Sequence, residues 1–240
     1  MKGIILAAGS GARLSRYHVA LPKVLIPVAG RPIIGYTLDA FHQAGVKDVA
    51  IVIGYRGNVL KYSIGDGSQY GLNIEYIFNK DYLLGNATSV YAARSFAKDG
   101  PFLLSMADHM ICSDLVGRLV SFRGSVNVLA VDYACSTRQI EEGTRVWVTD
   151  DGLIARIGKN LLRWNGIDAG VFRLTSGIFD AIGDDLTKNS AQHELSQAVT
   201  RMIHLGNPLL ACDITGSFWH DIDTWEDLEY VRNMLDGGGQ

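Results

Sequence analysis

The N-terminal stretch of the chain constrains its fold more than any other feature. Its apolar run Ile4–Ala8 has strand character and is followed by two glycines, Gly9 and Gly11. Glycines let the backbone turn tightly, so that its N–H groups can approach an anion without intervening side chains. Arg13 and Lys23 add two positive charges beside the same loop, which a polyphosphate needs and a purely structural turn does not. The stretch therefore predicts a strand followed by a phosphate-binding loop.

Two other glycine-loop motifs are tested against the same residues. A dinucleotide-binding fingerprint needs a glycine or alanine where Leu14 stands, and an acidic residue about 20 positions later is missing. A Walker loop needs Gly-Lys followed by Ser or Thr, which occurs nowhere in the chain. An ordinary strand and Gly/Ser turn remains the structural alternative, and the two cations argue against it.

Length and composition favour one soluble domain. The 240 residues are 48% apolar and carry a net charge of −3, which supports a substantial core and gives no electrostatic footprint for nucleic acid. Three scattered cysteines suggest neither disulfides nor a zinc site. No segment approaches 18 continuous apolar residues, so we expect no membrane span and a cytoplasmic protein. We expect a domain over residues 1–236 and a flexible tail over 237–240.

Strands and helices alternate through the first half of the chain. Val49–Ile53 reads as a buried parallel strand and Asn73–Phe78 as the next. From residue 126 the pattern changes to antiparallel strands, with an Asp-Gly hairpin turn at 151–152. Trp147 lies in one of these alternating strands and is expected in the core. Helices are predicted at 176–183 and 191–204, and Thr224 with Asp227 predicts a capping box that opens the last helix.

Carboxylates follow two separate strands. Asp108 stands two positions after the apolar run 102–106, and Asp221 and Asp223 alternate so that both point to one face. Hard oxygen ligands beside a phosphate loop suit Mg2+. Each acid alone could instead cap a turn or a helix, but together with the first loop they predict a magnesium site.

Taken together, Leu-Ala-Ala-Gly-x-Gly-x-Arg-Leu followed by Pro-Lys resembles the signature of the sugar-phosphate and alcohol-phosphate nucleotidyltransferases. The resemblance implies a single-domain, three-layer α/β/α fold of the glycosyltransferase-A type, Rossmann-like, with a mixed, mainly parallel central sheet and an antiparallel acceptor-binding half. It also implies that the nucleotide lies on Leu6, Ala7, Ala8, Gly9, Ser10, Gly11, Ala12, Arg13 and Lys23. Asp108, Asp221 and Asp223 match the positions where the family holds its metal ion.

Within this family, four later motifs resemble the inositol-1-phosphate cytidylyltransferases. These are residues 106–109, 143–146, 157–161 and 167–172. The implied reaction is attack of an acceptor phosphate on the α-phosphorus of CTP, with Arg13, Lys23 and Asp108 as catalytic residues and pyrophosphate as the leaving group. Because a phosphate monoester is mostly a dianion at neutral pH, no general base is needed, and neither His109 nor His220 is predicted to be one.

The acceptor is expected on the antiparallel half of the fold. The candidates for binding it are Asp108, His109, Arg145, Lys159, Asp168 and Gly170. A carboxylate on an apolar strand, as at Asp168, is otherwise hard to justify. Candidates for reading the base are Asn79, Gly85, Asn86 and Ala87.

Several alternatives stay open at this stage. The acceptor could be phosphocholine or another small phospho-alcohol or sugar 1-phosphate, with Trp164 as part of an aromatic cage. A nucleotide-sugar sensor could share the fold without catalysis, and a nicotinamide oxidoreductase is disfavoured by Leu14. A homodimer, and a membrane phosphatidyltransferase that receives the product, are partners that the sequence leaves open.

Overall fold

The computed structural model describes residues 1–11, 14, 21–124, 126–187 and 192–237. Two predicted site residues, Ala12 and Arg13, lie outside this part of the chain, as do residues 238–240 of the predicted tail. Gly237, the first residue of that tail, ends the last helix. The domain boundary at residue 236 stays a prediction.

The described part of the chain alternates strands and helices along most of its length. In chain order the elements are β1 (Lys2–Ala7), β2 (Pro27–Val28), β3 (Arg31–Pro32), α1 (Ile33–Gln43), β4 (Asp48–Ile53), α2 (Gly57–Ile64), β5 (Asn73–Phe78), α3 (Asn86–Ala92), β6 (Phe102–Met106), β7 (His109–Ile111), α4 (Ser113–Ser121), β8 (Asn127–Asp132), α5 (Thr137–Glu142), β9 (Thr144–Val148), β10 (Ile154–Gly158), β11 (Gly166–Leu174), α6 (Gly177–Leu186), α7 (Leu195–His204), β12 (Leu209–Asp213), β13 (Trp219–Asp221) and α8 (Trp225–Gly237). Among these helices none is both long enough and apolar enough to cross a bilayer.

The central sheet is mixed, as predicted. Its strand order is β10-β9-β11-β6-β1-β4-β5, and β8 pairs with β11 and β12. Strands β6, β1, β4 and β5 run parallel, whereas β8, β9 and β10 reach β11 through antiparallel ladders. The antiparallel half therefore extends the sheet beyond the carboxyl end of β6.

Helices cover both faces of the sheet, because alternate residues of a strand point to opposite sides. Ile5 and Ile51 pack in one core cluster with α1, α2 and α4, whereas Ile4 and Ala50 pack in another with α3, α6 and α7. Burying one such isoleucine side chain stabilises the fold by about 1.5–3 kcal/mol. The predicted three-layer arrangement is confirmed.

The C-terminal segment returns to the N-terminal half of the chain. Strand β13 pairs with β7, so that Asp221 lies opposite His109, and the Ile222 N–H donates to the Asp108 carbonyl at 3.0 Å. A separate apolar cluster holds α8 in this position; its buried members are Leu14, Ile26, Val28, Ile33, Met110, Ile222, Leu228 and Val231. Two carboxylate-bearing segments far apart in sequence are thereby brought side by side.

Two local expectations are corrected by tertiary contacts. The helix predicted at 191–204 begins at Leu195. The His193 N–H donates to the Leu84 carbonyl and the His193 carbonyl accepts from the Ala87 N–H, so that the main chain of His193 bonds to another segment instead of to the helix. Trp147 is half-buried rather than in the core, since Val146 and Val148 take the inward positions of β9 and Arg163 lies over the indole at 3.9 Å.

The sheet divides at Gly170 in the middle of β11. Residues 166–168 of this strand pair with β9, and residues 171–174 pair with β6. Gly170 has a φ of +72°, and a Cβ atom there would lie 2.3 Å from Cε1 of His109. Only glycine satisfies both the left-handed backbone and the imidazole that packs against it.

We expect Gly170→Ala to destabilise the protein more than Gly206→Ala, which tests this packing. Both glycines have positive φ, but nothing lies within 4 Å of a Cβ atom at Gly206. The control should lose about 1 kcal/mol of unfolding free energy for the backbone alone, and Gly170→Ala about 2–4 kcal/mol because the imidazole must move. Urea unfolding measures both, and equal losses would contradict the contact.

Candidate active site

Two adjoining cavities open at the carboxyl ends of β1 and β6. The smaller has a volume of about 430 Å³ and the larger about 790 Å³. Asn86, Met106, Asp108 and Asp223 line both of them. Ligands of open α/β sheets gather at this edge. The carboxylates of Asp108 and Asp223 therefore lie at the junction of two spaces, each with room for part of a substrate.

The glycine loop forms a wall of the smaller cavity. Leu6–Gly11, Lys23, Gly85 and Asn86 line it, and all of them are predicted nucleotide-binding residues. Gly11 has a φ of +58°, and a Cβ atom there would lie 2.5 Å from Cβ of Lys23. The loop can close against Lys23 because Gly11 has no side chain. The predicted phosphate loop and its lysine thus face one space.

Asn79 and Ala87, predicted to read the base, are buried outside the lining of this cavity. The Asn79 amide nitrogen donates to Thr88 Oγ1 at 2.9 Å and to Ser89 Oγ at 3.0 Å, and its oxygen accepts a main-chain N–H. The Ala87 N–H donates to the His193 carbonyl at 3.0 Å. These bonds give both residues a supporting role for the loop that precedes α3, instead of the predicted contact.

Lys23 forms the central interaction of the site. Its Nζ lies 2.7 Å from Asp108 Oδ2 and 2.5 Å from Asp223 Oδ1, and 7% of its side chain is exposed. Burial by itself lowers the pKa of Lys23, but the two carboxylates outweigh it and hold the pKa above its usual value. Burial likewise opposes ionisation of Asp108, yet Lys23 lowers its pKa to about 2. Lys23 and Asp108 are therefore both charged at neutral pH.

Two carboxylates at this junction fit a magnesium ion. Asp221 lines the larger cavity beside Asp108 and Asp223, but within the described ranges no three His, Cys, Asp or Glu side chains are grouped so that they could hold a metal ion. The donor pair that meets at Lys23 consists of Asp108 and Asp223. Mg2+ takes one or two carboxylates and completes its shell with water and phosphate oxygens, so this pair suits it where a triphosphate supplies further ligands.

The larger cavity contains most of the predicted acceptor residues. Those that line it are Asp108, His109, Lys159, Asp168 and Gly170. Arg145 is absent from its described lining: Nη1 donates to the Leu161 carbonyl at 3.2 Å, and the guanidinium lies 5.5 Å from the centre of the Trp164 ring. Arg145 therefore supports the loop that carries Lys159, in place of the predicted direct contact.

His109 and Asp168 are fixed against the kink of β11. His109 Nδ1 lies 2.9 Å from the Ala169 carbonyl, an acceptor, so Nδ1 carries the proton. Asp168 Oδ1 accepts from the Gly170 N–H at 2.7 Å. Burial raises the pKa of Asp168 to about 6, although the Gly170 N–H and nearby His109 oppose this shift. The site thus contains a carboxyl group that loses its proton near neutral pH.

Sequence reasoning missed the segment at residues 192–197. Gln192 lines the smaller cavity, and residues 194–197 line the larger one. The segment is held by Asn86, whose Oδ1 accepts from the Leu195 N–H at 2.7 Å across 109 positions of sequence. In the sequence these residues read as part of a helix, and nothing in that pattern indicates a contact with Asn86.

Two curated proteins of similar sequence carry names that describe them as bifunctional, and the chain matches about half the length of each. The chain is 33% identical over 239 residues to a Bifunctional IPC transferase and DIPP synthase of Rubrobacter xylanophilus. The matched region covers 97% of this chain and 51% of that protein. A protein of the same name from Thermococcus kodakarensis is 32% identical over 234 residues, covering 98% and 50%. The chain therefore spans about half the length of the curated relatives it matches.

Solved structures share the fold over nearly the whole chain. An inositol-1-phosphate CTP transferase from T. maritima superposes with a TM-score of 0.84 at 23% identity, covering 98% of this chain and 96% of that one. A putative glucose-1-phosphate thymidylyltransferase from Bacillus anthracis gives 0.83 at 19% identity, covering 98% and 94%. The family model described as MobA-like NTP transferase domain matches residues 3–214. Since this range contains the glycine loop, Lys23 and Asp108, the chain belongs to the MobA-like NTP transferase family and is a nucleotidyltransferase.

Proposed function

We propose that this chain transfers the cytidylyl group of CTP to inositol 1-phosphate, giving CDP-inositol and pyrophosphate. The observation that carries the proposal is the junction of two cavities at Asp108 and Asp223. A triphosphate in the smaller cavity and a phosphorylated acceptor in the larger would meet at these carboxylates, and such alignment removes much of the entropic barrier. The glycine loop on one side and Lys159 on the other provide for two phosphate-bearing substrates.

The chemistry needs no proton transfer to a side chain. An acceptor phosphate oxygen forms a bond to the α-phosphorus, while the bond from that phosphorus to the oxygen bridging the β-phosphate breaks and pyrophosphate leaves. A phosphate monoester has a second pKa of about 6, so its dianion is the nucleophile at neutral pH. The protein aligns the two phosphates and stabilises charge, as in other phosphoryl transfers.

Mg2+ is the proposed cofactor, with Asp108 and Asp223 as ligands and Asp221 as a further predicted one. When bound, it would neutralise charge on the triphosphate and on the departing pyrophosphate. The Lys23 ammonium contacts both carboxylates and orders them before a substrate arrives. Arg13, outside the described residues, stays a predicted catalytic cation.

A polyol phosphate suits the larger cavity. Its lining offers polar side chains on several elements, namely Glu142, Thr144, Lys159, Asn160, Asp168 and Gln197. Ring hydroxyls each donate and accept hydrogen bonds, and they lose affinity when buried without partners. The T. maritima structure is named an inositol-1-phosphate CTP transferase, which further supports inositol 1-phosphate and CTP as substrates.

Phosphocholine is the alternative acceptor, and it would require an aromatic cage for its quaternary cation. Trp164, the predicted cage residue, already has the Arg145 guanidinium 5.5 Å from the centre of its ring. Phe172 and Trp219 line the larger cavity and keep this alternative open to test. A sensor without catalysis would not need Lys23 and both carboxylates at the junction.

A cytoplasmic setting, a homodimer and a membrane phosphatidyltransferase that consumes the product complete the proposal. The names of the two curated relatives join a second activity, DIPP synthase, to the transferase, which supports a partner reaction for the product.

The substrate proposal predicts Mg2+-dependent pyrophosphate release from CTP and inositol 1-phosphate. The assay compares four nucleoside triphosphates with inositol 1-phosphate, phosphocholine and glucose 1-phosphate. Asp108→Asn keeps the side-chain volume, removes a hard ligand, and should abolish turnover in a folded protein. Turnover of phosphocholine with inositol 1-phosphate inert would establish the alternative acceptor, and nucleotide binding without turnover would favour the sensor.

Lysine variants should separate the two cavities. Lys23→Ala should raise the KM for CTP about 10- to 100-fold, because a charged, buried donor is lost. Lys159→Ala should mainly raise the KM for the acceptor. Exposed Lys47→Ala serves as the control, and melting curves verify folding. If Lys23→Ala and Lys159→Ala raise the KM of the same substrate, the assignment of the cavities is wrong.

Asp168→Asn should stabilise the ligand-free protein above pH 6. The pKa of Asp168 is about 6 in the folded state, whereas in the unfolded chain it is about 4. The contribution of Asp168 to the free energy of unfolding of the wild type is therefore fully present below about pH 4, and it is lost as the pH rises through 6. The gain of the variant should grow over this window to about 1–3 kcal/mol. Urea unfolding from pH 4 to 8 measures it, with the surface variant Asp150→Asn as a control. A stability difference between Asp168→Asn and the wild type that does not change with pH would contradict the shift.

A further inference from the structure

Asp227 holds the main chain beside one of the junction carboxylates. It lies at the N-terminus of α8 with 4% of its surface exposed. Its Oδ2 accepts from the Asp223 N–H at 3.0 Å, from the Thr224 N–H at 2.7 Å and from Thr224 Oγ1 at 2.8 Å. A single buried carboxylate thus fixes the backbone of Asp223, whose own carboxylate contacts Lys23.

Arg138 on α5 binds the other oxygen of Asp227. Its Nε lies 2.5 Å from Asp227 Oδ1, and its Nη2 donates to Thr224 Oγ1 at 3.1 Å. A guanidinium donates from two rigidly related positions, which a more flexible cation cannot reproduce. Arg138 therefore orients both members of the turn that carries Asp223.

The helix that carries Arg138 also reaches the wall of the larger cavity. Gln139 Nε2 donates to the Trp219 carbonyl at 3.0 Å on β13, and α5 ends at Glu142, which lines that cavity together with Thr144. A helix of six residues is not stable by itself, so its position depends on these contacts. Arg138 consequently connects the acceptor wall to the segment of Asp223.

We propose that Arg138 and Asp227 are positioning residues that hold the Asp223 carboxylate in place for the nucleotide and its metal ion. The inference rests on the proposed function of the same site. Both residues are absent from the described lining of either cavity, so they act through Asp223 and contact no substrate. The pair makes the geometry at the junction depend on the placement of α5.

A purely structural role would be capping of α8. Asp227 and Thr224 form a reciprocal cap, since the Asp227 N–H also donates to Thr224 Oγ1 at 3.2 Å. Such a cap stabilises the folded state but leaves the affinity of the folded protein for metal and nucleotide unchanged. The bonds of the cap join Thr224 and Asp227 and use no donor of Arg138. Removing the arginine therefore takes away its contacts while the donors and acceptors of the cap remain, which separates positioning from capping.

The test compares Arg138→Met with Arg118→Met. Arg118 is a matched control on α4: its Nε lies 2.9 Å from Asp114 Oδ2, and its side chain is 41% exposed, against 37% for Arg138. Calorimetry measures binding of α,β-methylene CTP over a series of Mg2+ concentrations, and the kcat for CTP and inositol 1-phosphate is measured in parallel. Melting curves confirm that each variant is folded.

Arg138→Met should raise the Mg2+ concentration needed for half-maximal analogue binding by about 10-fold or more, and lower kcat by a similar factor. Arg118→Met should stay close to wild type. Arg138→Lys, which keeps the charge but not the fork of donors, should fall between them. Equal Mg2+ dependence in Arg138→Met and Arg118→Met would overturn the proposal.

The two inferences fail in different ways. A wild-type chain that binds the analogue with Mg2+ but does not turn over inositol 1-phosphate would contradict the proposed acceptor, and the calorimetric comparison would still decide the role of Arg138. Absence of Mg2+-dependent binding to the wild type would overturn both.

Discussion

The buried contact of one ammonium with two carboxylates is the interaction on which the site depends. Lys23, Asp108 and Asp223 come from three distant parts of the sequence, and each is costly to bury without its partners. Their convergence requires the glycine loop to close on Lys23 and β13 to pair with β7. A buried ion-pair cluster of this kind is weak evidence for a stabilising role. The position of these three groups between two cavities explains their presence better than stability does.

The division of the sheet at Gly170 provides the second space. Strand β11 does not pair with β6 along its whole length. Residues 171–174 pair with β6, whereas residues 166–168 pair with β9. The imidazole of His109 fills the place that a side chain at Gly170 would need. The same kink aims Asp168 at the larger cavity, and its burial raises the pKa of that carboxyl group. Strand geometry and local electrostatics at the acceptor wall thus have one cause.

Outer contacts orient the residues that face the cavities. Arg145 supports the loop of Lys159, Asn79 supports the loop before α3, and Asp227 fixes the turn of Asp223. Groups of this kind set the precision of a site because a shift of about 1 Å in a reacting group has a large effect on rate. They also account for polar residues that sequence patterns point to without revealing their partners.

The sequence by itself determined the nature of the first loop, the alternation of strands and helices, and the carboxylates at strand ends, because glycine, periodicity and charge act locally. It also predicted that Asp221 and Asp223 share one face through strand alternation. Both line the larger cavity, but β13 ends at Asp221, so strand alternation is not what brings Asp223 there. Only the tertiary structure decided that Arg145 and Asn79 lie outside the described lining of the cavities, that residues 192–194 precede the helix instead of joining it, and that Asp223 meets Lys23. Each of these outcomes depends on hydrogen bonds or ion pairs between residues far apart in the chain, such as the 200 positions that separate Lys23 from Asp223, and no local pattern encodes them.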